Sequence, residues 1–425
     1  MALLRHRDFL LLFAGQGVSR LGDGLYTAVV AWLAWSLTHE PGAVALVTLA
    51  AYGPAFLATL IGASYADRYD RRRLMIATDV VRAAVVAVAP VLLALGLLNL
   101  TLLVTGAALL ALIGAPFAPA RNAIVAQIVP TERLLEANGL LQVAFRAAFF
   151  VGPLLLAPLL AFASLEVVLA LDVLTFLASA ATLAAIRVRP TARAEQRLGL
   201  RADLAAGLAA LRAEPDVLIV IATFVLALVT ASGFLTVGVV ALVGESFGGH
   251  GGEYGLLLGI AGVAEVFGAL ALARLPLRNL ALTAVLAWAL LGAFRFPLGL
   301  AETSIIAAVL LAVTGFASAL TDIPLIALVQ QRIPDRHLAK ALGLWEAGIA
   351  GALAVAPFAA AAIIGHVGVR NAFMLSGAAL IGLAAIAAIT ITRVTATPIP
   401  RPPTVDAQAL RPRARCRVRS NDVAA

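Results

Sequence analysis

The stretch GASYADRYDRRR, residues 62–73, carries six charged residues in twelve positions and joins two long apolar segments. Charged side chains are costly inside a bilayer, and arginine-rich turns gather at the cytoplasmic face of membrane proteins. The apolar segments on either side cover residues 42–65 and 74–97. We therefore interpret residues 62–73 as a short connection between two membrane-spanning helices.

The composition extends this interpretation to the whole chain. Of the 425 residues, 62% are apolar and 13% are charged, against about 45–50% and about 25% in soluble domains. This leaves too little polar surface for a water-soluble enzyme. The sequence predicts an all-α integral membrane protein with twelve transmembrane helices. They are predicted at residues 9–37, 42–65, 74–97, 100–118, 138–163, 166–186, 217–243, 254–273, 280–299, 303–328, 341–364 and 370–392.

The distribution of basic residues predicts the orientation. The chain has 31 Lys and Arg against 23 Asp and Glu, a net charge of +8 that would suggest a nucleic-acid partner in a soluble protein. Here the basic residues lie in short connections, where topology explains them better. Apart from Arg20 and Arg146 inside spans and Arg295 and Arg370 on the far side, all lie on one side. Both termini are thus predicted to be cytoplasmic.

A repeated motif divides the chain into two halves. Gln127, Pro130 and Leu134 recur as Gln331, Pro334 and Leu338, at a constant spacing of 204 residues. Such a repeat indicates a parallel duplication of six spans, giving two six-helix bundles related by a pseudo-twofold axis. The predicted organisation is a first half at 1–188, a cytoplasmic linker at 189–215, a second half at 216–393 and a disordered basic tail at 394–425.

The connection at residues 62–73 resembles the signature loop of the major facilitator superfamily, in which a glycine precedes Asp-Arg and a basic pair. The segments 7–33 and 116–121 resemble the first and fourth spans of the branch that includes enterobactin exporters and macrolide and drug efflux proteins. The chain departs from the pattern at Ala63 and Asp70, where glycines are usual. In the second half, Ala273 replaces the aspartate.

The resemblance implies a secondary active transporter that exports a small organic molecule in exchange for protons by alternating access. It implies a cytoplasmic gate at Asp67, Arg68, Arg71 and Arg72, which holds the two halves together in the outward-facing state. A plain positive-inside signal is the alternative interpretation of these arginines. Phe224, Phe234, Trp32 and Trp35 in the first and seventh spans favour a lipophilic substrate.

Ionisable residues within spans are candidate sites for protons or substrate, because they are costly in lipid. Asp23, with Arg20 one turn away, is the first candidate; a static ion pair is the alternative. Glu265 lies near mid-depth of the eighth span. Three further residues lie towards the cytoplasmic side, where they could form ion pairs between the halves or pack within one half: Asp322, Glu346 and Arg146.

Three other charged residues are predicted to be structural. Asp79 and Arg82 are spaced i, i+3 on the third span, as in a helical ion pair. Asp172 lies in the sixth span, which the resemblance makes peripheral.

The sequence contains none of the motifs expected for ATP hydrolysis or zinc chemistry, and Cys416 is its single cysteine. We therefore expect no enzyme activity, cofactor, metal or intramolecular disulfide. The predicted partners are a small-molecule substrate, protons and the lipid bilayer, with no nucleic acid, for a monomer in the bacterial cell membrane. Two alternatives stay open: an uptake permease or facilitator of the same fold, and a transport-inactive membrane sensor or partner protein.

Overall fold

The computed structural model describes residues 3–62, 70–130, 133–187, 208–209, 211–272 and 279–396. Within these residues the regular secondary structure is entirely helical. Backbone polar groups inside a bilayer must be satisfied within the protein, and an apolar helix satisfies its own.

Seven helices precede the central connection. They are α1 (Arg7–Thr38), α2 (Pro41–Gly62), α3 (Arg71–Ala94), α4 (Leu100–Gly114), α5 (Phe117–Ile128), α6 (Leu134–Phe162) and α7 (Leu165–Ala185). Six follow it: α8 (Pro215–Phe247), α9 (Gly251–Leu272), α10 (Leu280–Arg295), α11 (Ser304–Arg332), α12 (Asp335–Val367) and α13 (Val369–Ala396).

Where the structure describes them, the predicted spans are largely helical, which confirms the all-helical membrane fold. The fourth predicted span consists of two helices, α4 and α5, separated by a turn at residues 115–116. In the described part of the chain, nine helices are long and apolar enough to cross a membrane, while α4 and the segment Pro41–Pro54 are shorter. The number of twelve spans therefore stays a prediction.

Polar residues fix several helix starts. Asp70 Oδ1 accepts a hydrogen bond from the backbone N–H of Arg73, at 2.8 Å, and so caps α3. Asn99 caps α4 and Asn279 caps α10, each by accepting from the N–H three residues later at 3.0 Å. These caps satisfy N–H groups that have no partner within the helix.

The helices pack as two groups with equivalent pairings. In the first group α1 packs against α6 and α7, α3 against α7, and α2 against α4. In the second group α8 packs against α12 and α13, α10 against α13, and α9 against α11. The groups meet mainly through α6 with α9 and α2 with α12.

The groups are joined at one end of the bundle and separate at the other. We call the end that contains Arg7, Arg72, Arg187 and Arg332 the basic end, and the opposite end the closed end. A single buried apolar cluster crosses both groups at the closed end, where Trp32 of α1 stacks on Tyr254 of α9. Near the basic end each group has its own cluster. The bundle is therefore sealed at the closed end.

Side chains from neighbouring helices support a change of helical pitch within α8. Phe234–Gly238 and Leu242–Phe247 form π-helical turns, which leave main-chain carbonyls without their usual partners. Arg295 Nη1 donates to the carbonyl of Ala231 at 2.8 Å, and Ser376 Oγ donates to that of Thr230 at 2.8 Å. Arg295 is buried against α8. Its guanidinium satisfies a carbonyl inside the bundle.

Candidate functional site

A cavity of about 290 Å³ lies between the two groups of helices. Its lining residues on α6 precede Leu156, which belongs to the closed-end cluster, so the cavity lies on the basic side of that seal. Helices α1, α5 and α6 of the first group and α9 of the second form its wall. The lining residues are Arg20, Arg121, Gln142, Phe145, Arg146, Phe150 and Glu265.

Arg146 joins the two groups electrostatically. From α6 its Nη1 reaches Asp322 Oδ2 on α11 at 3.0 Å and Glu265 Oε1 on α9 at 3.6 Å. The carboxylates are only 14% and 19% exposed, whereas Arg146 is 52% exposed, so solvent and salt screen this contact in part. Glu346, predicted in the same network, is exposed and has no ion pair within the described part of the chain. The structure thus brings three of the predicted site residues into ion-pair contact, and Glu346 interacts with Arg146 electrostatically from beyond ion-pair distance.

Asp23 lies between two arginines. Its Oδ1 accepts from Arg82 Nη2 at 2.8 Å, and its Oδ2 accepts from Arg20 Nη1 at 3.4 Å. The second contact is the predicted pair with Arg20. The first corrects the sequence analysis, because Arg82 on α3 bonds Asp23 on α1 and not Asp79 of its own helix. The Arg82 guanidinium also lies 4.2 Å above the ring of Phe176.

Asp79 instead ends a buried hydrogen-bond chain within the first group. Gln16 Nε2 donates to Ser179 Oγ at 2.9 Å, and Ser179 Oγ donates to Asp79 Oδ2 at 2.6 Å. The other oxygen of Asp79 is buried and has no partner among the described residues. Asp172 is also buried, and its carboxylate accepts from Thr175 Oγ1 at 2.9 Å. The spacing of Asp79 in the sequence could not reveal Ser179, which is 100 residues away.

Arg121 on α5 is a cavity residue that the charge analysis of the sequence missed. Its guanidinium lies 4.6 Å above the ring of Phe145, which also lies 5.7 Å from the guanidinium of Arg20. The segment 116–121 was noted only for its resemblance to a fourth span. Arg121 lies three residues beyond the predicted fourth span, residues 100–118, so the search for charged residues within spans did not include it.

The aromatic residues expected to face the substrate lie elsewhere. Trp32 and Trp35 belong to the closed-end cluster, and Phe234 packs against Phe373 within it. Phe224 makes edge contacts with two tryptophans of the second group. The aromatic residues of the cavity are Phe145 and Phe150 instead. Periodicity could not distinguish these positions, because both sets lie on apolar helices.

The predicted cytoplasmic gate is only partly described. Asp67 and Arg68 lie outside the described residues, and Arg71 is half-buried at the start of α3. Arg72 Nε donates to the carbonyl of Leu183 at 2.8 Å, and its Nη2 donates to that of Ala184. Arg72 therefore binds the carboxyl end of α7 within its own group, and its role in a gate between the halves stays a prediction.

The site offers charge and apolar surface but no metal-binding cluster. Among the described residues, no group of three or more His, Cys, Asp or Glu side chains is placed to hold a metal ion. Arginines and carboxylates from different helices meet beside this cavity, which suits it to bind a small molecule.

Comparison with known proteins defines the class first. The nucleoside transporter NupG superposes with a TM-score of 0.68 at 13% identity, over 92% of this chain and 100% of that one. A second solved structure is a bacterial homologue of the human lysosomal transporter Spinster, in an inward-facing and unoccupied conformation. It superposes with a TM-score of 0.66 at 13% identity, over 92% of this chain and 97% of that one. At these identities the likeness shows the fold alone, which this chain shares with both transporters.

The family follows from the sequence match. The model of the transmembrane secretion effector family matches residues 1–414, and the chain belongs to this family of major facilitator transporters. It is a multi-pass membrane protein, and the members of its superfamily transport small molecules across membranes.

Two curated bacterial relatives match part of the chain. Macrolide efflux protein A of Streptococcus pyogenes is 26% identical over 195 residues, 42% of this chain and 44% of that protein. The multidrug efflux pump Tap of Mycobacterium tuberculosis is 30% identical over 151 residues, 34% of this chain and 36% of that protein. The matched region thus spans less than half the length of these relatives.

Proposed function

We propose that this protein exports small lipophilic organic molecules from the bacterial cytoplasm in exchange for protons, by alternating access between its two halves. The proposal includes twelve spans, halves at 1–188 and 216–393, and cytoplasmic termini in the inner membrane. The efflux relatives support export, and the arginines of the basic end support placing that end in the cytoplasm. The bundle would then be inward-facing.

The observation that carries the proposal is the bridge from Arg146 to Glu265 and Asp322. It links the two groups beside a cavity that is sealed at the closed end. When the halves rock, this contact between groups must lengthen or exchange, whereas contacts within one group can move as a unit. The bridge is therefore suited to couple the charge state of the site to the position of the halves.

Charge counting favours Glu265 and Asp322 as the proton-binding pair. They share one arginine, so a proton on either carboxylate leaves the other paired with Arg146. A proton on Asp23 would instead weaken contacts to two arginines. We therefore propose that the coupling proton binds to the shared pair, with Asp23 as the alternative carrier.

The cytoplasmic gate is proposed to close in the outward-facing state. Asp67 and Arg68 lie in the sequence between α2 and α3, and Arg71 and Arg72 are the first residues of α3, at the basic end where the two groups are separate. The bonds of Arg72 to the end of α7 would fix this connection to the first half, so that it moves with that half during rocking.

The test is transport by the full-length protein in liposomes with an imposed pH gradient. A panel of lipophilic drugs is followed for the wild type and for Glu265→Gln, Asp322→Asn and Asp23→Asn. Glu302→Gln is the matched control, because this exposed carboxylate lies in a connection at the closed end. We expect gradient-driven movement opposite to the proton flow, lost in Glu265→Gln or Asp322→Asn and retained in the control.

The other outcomes are equally informative. If only Asp23→Asn loses gradient-driven transport, the coupling proton binds to Asp23. Flux that ignores the gradient in every variant would indicate a facilitator. Gradient-driven uptake in the direction of the proton flow would indicate a symporter and would refute export.

A further inference from the structure

The cavity wall carries more positive than negative charge. Three of the residues that line it are arginines, Arg20, Arg121 and Arg146, and Glu265 is the single lining carboxylate. An unpaired positive charge inside an apolar bundle costs free energy. The question for each of these arginines is therefore which groups pair with it.

Two of the three arginines have carboxylate partners. Arg20 reaches Asp23 at 3.4 Å, and Arg146 reaches Asp322 at 3.0 Å. Arg121 has no carboxylate within ion-pair distance in the part of the chain that the structure describes. Its Nη2 makes one long contact with Asn122 Oδ1 at 3.4 Å, and its Nη1 is buried without a hydrogen-bond partner. A residue of the cavity wall therefore carries a buried N–H group that has no hydrogen-bond acceptor among the described residues.

The geometry of Arg121 suits a ligand with both a charged and an apolar part. The guanidinium carbon of Arg121 lies over the ring of Phe145, 4.6 Å from its centroid, and a guanidinium that contacts an aromatic ring can still donate hydrogen bonds through its N–H groups. Phe145 and Phe150 supply apolar surface in the same cavity. A volume of about 290 Å³ is at the lower end of the range for small-molecule sites, and it fits one or two fused rings.

We propose that the cavity binds a small amphipathic organic anion, whose carboxylate, sulfonate or phosphate group is held by Arg121 and whose aromatic or aliphatic body packs on Phe145 and Phe150. Arginine binds such groups with two parallel N–H bonds, which gives selectivity for anions over cations of the same shape. The inference deepens the proposed function, on which it rests, by naming the charge of the transported molecule.

The test uses three compounds that share a naphthalene body and carry an anionic, a neutral or a cationic head group: 2-naphthalenesulfonate, 2-naphthalenesulfonamide and a 2-naphthyl trimethylammonium salt. Equilibrium binding to the full-length protein is measured in phosphatidylcholine nanodiscs. We expect the sulfonate to bind at least about tenfold more tightly than the ammonium compound, since one charge-assisted pair contributes about that factor.

Variants assign the selectivity to one residue. Arg121→Gln should lose about tenfold or more of the sulfonate affinity and leave sulfonamide binding unchanged. Arg121→Lys keeps the positive charge but cannot donate two parallel N–H bonds. Its affinity for the sulfonate should therefore lie between those of the wild type and Arg121→Gln. Arg133→Gln is the control, because it removes one positive charge from an exposed ion pair outside the cavity. Unchanged sulfonamide binding also shows that the variant cavity is folded.

Three results would overturn the inference. The wild type could bind the ammonium compound as tightly as the sulfonate, Arg121→Gln could keep the full preference for the anion, or phosphatidylglycerol in the nanodiscs could displace the sulfonate. The last result would make a lipid headgroup the occupant of the site.

Transport of the same compounds in liposomes separates this inference from the proposed function. Gradient-driven transport of the neutral or cationic compound alone would support the exporter and refute the anion site. Selective, Arg121-dependent binding of the sulfonate without transport of any compound would support the anion site and refute the exporter.

Discussion

A single methyl group added at the seam between α6 and α9 should shift the conformational equilibrium of this transporter. Gly255 lies near the start of α9, and a Cβ built at this glycine would lie 2.5 Å from the carbonyl oxygen of Pro153 and 2.8 Å from Leu156 Cβ. Both distances are well below ordinary contact, and one neighbour is backbone. The two helices must move apart to accept an alanine.

The structure gives the expected magnitude. Overpacking a tight contact costs about 1–3 kcal/mol, and this contact exists only while the closed end is sealed. Gly255→Ala should therefore favour opening of this end by about 5- to 150-fold. Gly351→Ala on α12 is the matched control, because its new Cβ would meet no atom within 4 Å. Both variants replace a helical glycine by alanine and gain the same helix propensity. Any difference between them in the conformational equilibrium therefore comes from the contact between α6 and α9.

The assay is the distance between two spin labels at the closed end. Cys416→Ser removes the single cysteine of the chain, and cysteines are then placed at the exposed positions Phe162 and Leu300, one in each group. We expect a longer label distance to gain population in Gly255→Ala and not in Gly351→Ala. Identical distance distributions in the two variants would refute the claim that the α6–α9 seam seals this end.

Three further predictions concern stability, measured by thermal unfolding of the purified protein. Arg72→Ala should lower the stability by about 1–2 kcal/mol, because it removes two bonds to the carboxyl end of α7, while the exposed Arg73→Ala should have a smaller effect. Ser179→Ala should cost about 1–3 kcal/mol, because it leaves the buried Asp79 without a donor; a wild-type midpoint would contradict the hydrogen-bond chain. Arg295→Met should lower the stability by a similar amount, because it leaves the carbonyl of Ala231 in α8 without its hydrogen bond. An unchanged unfolding midpoint would show that the π-helical turns do not depend on this bond.

The sequence predicted the elements of the fold well for a physical reason. In a bilayer each spanning segment must be apolar over about 20 residues and must satisfy its own backbone, so composition alone locates the helices. The break between α4 and α5 was not predicted, since both pieces are apolar and only the local turn separates them.

Candidate site residues were predictable as a set but not as pairs. Charge in an apolar span indicated Asp23, Arg146 and Glu265, because such charge is costly wherever it lies. The sequence spacing of Asp79 and Arg82 predicted the wrong pair, since Arg82 contacts Asp23 on another helix. Hydrogen bonds between helices depend on rotation and depth, which periodicity does not fix.

The sequence by itself determined the membrane fold, the positions of the helices, the family resemblance and the cost of the buried charges. Only the tertiary structure decided that Arg146 crosses between the groups, that Arg121 lies beside the cavity without a carboxylate, and which aromatic rings line that cavity. Whether a segment is apolar depends only on its own residues, so it can be determined from the local sequence. Which side chains meet depends on how helices far apart in sequence pack together.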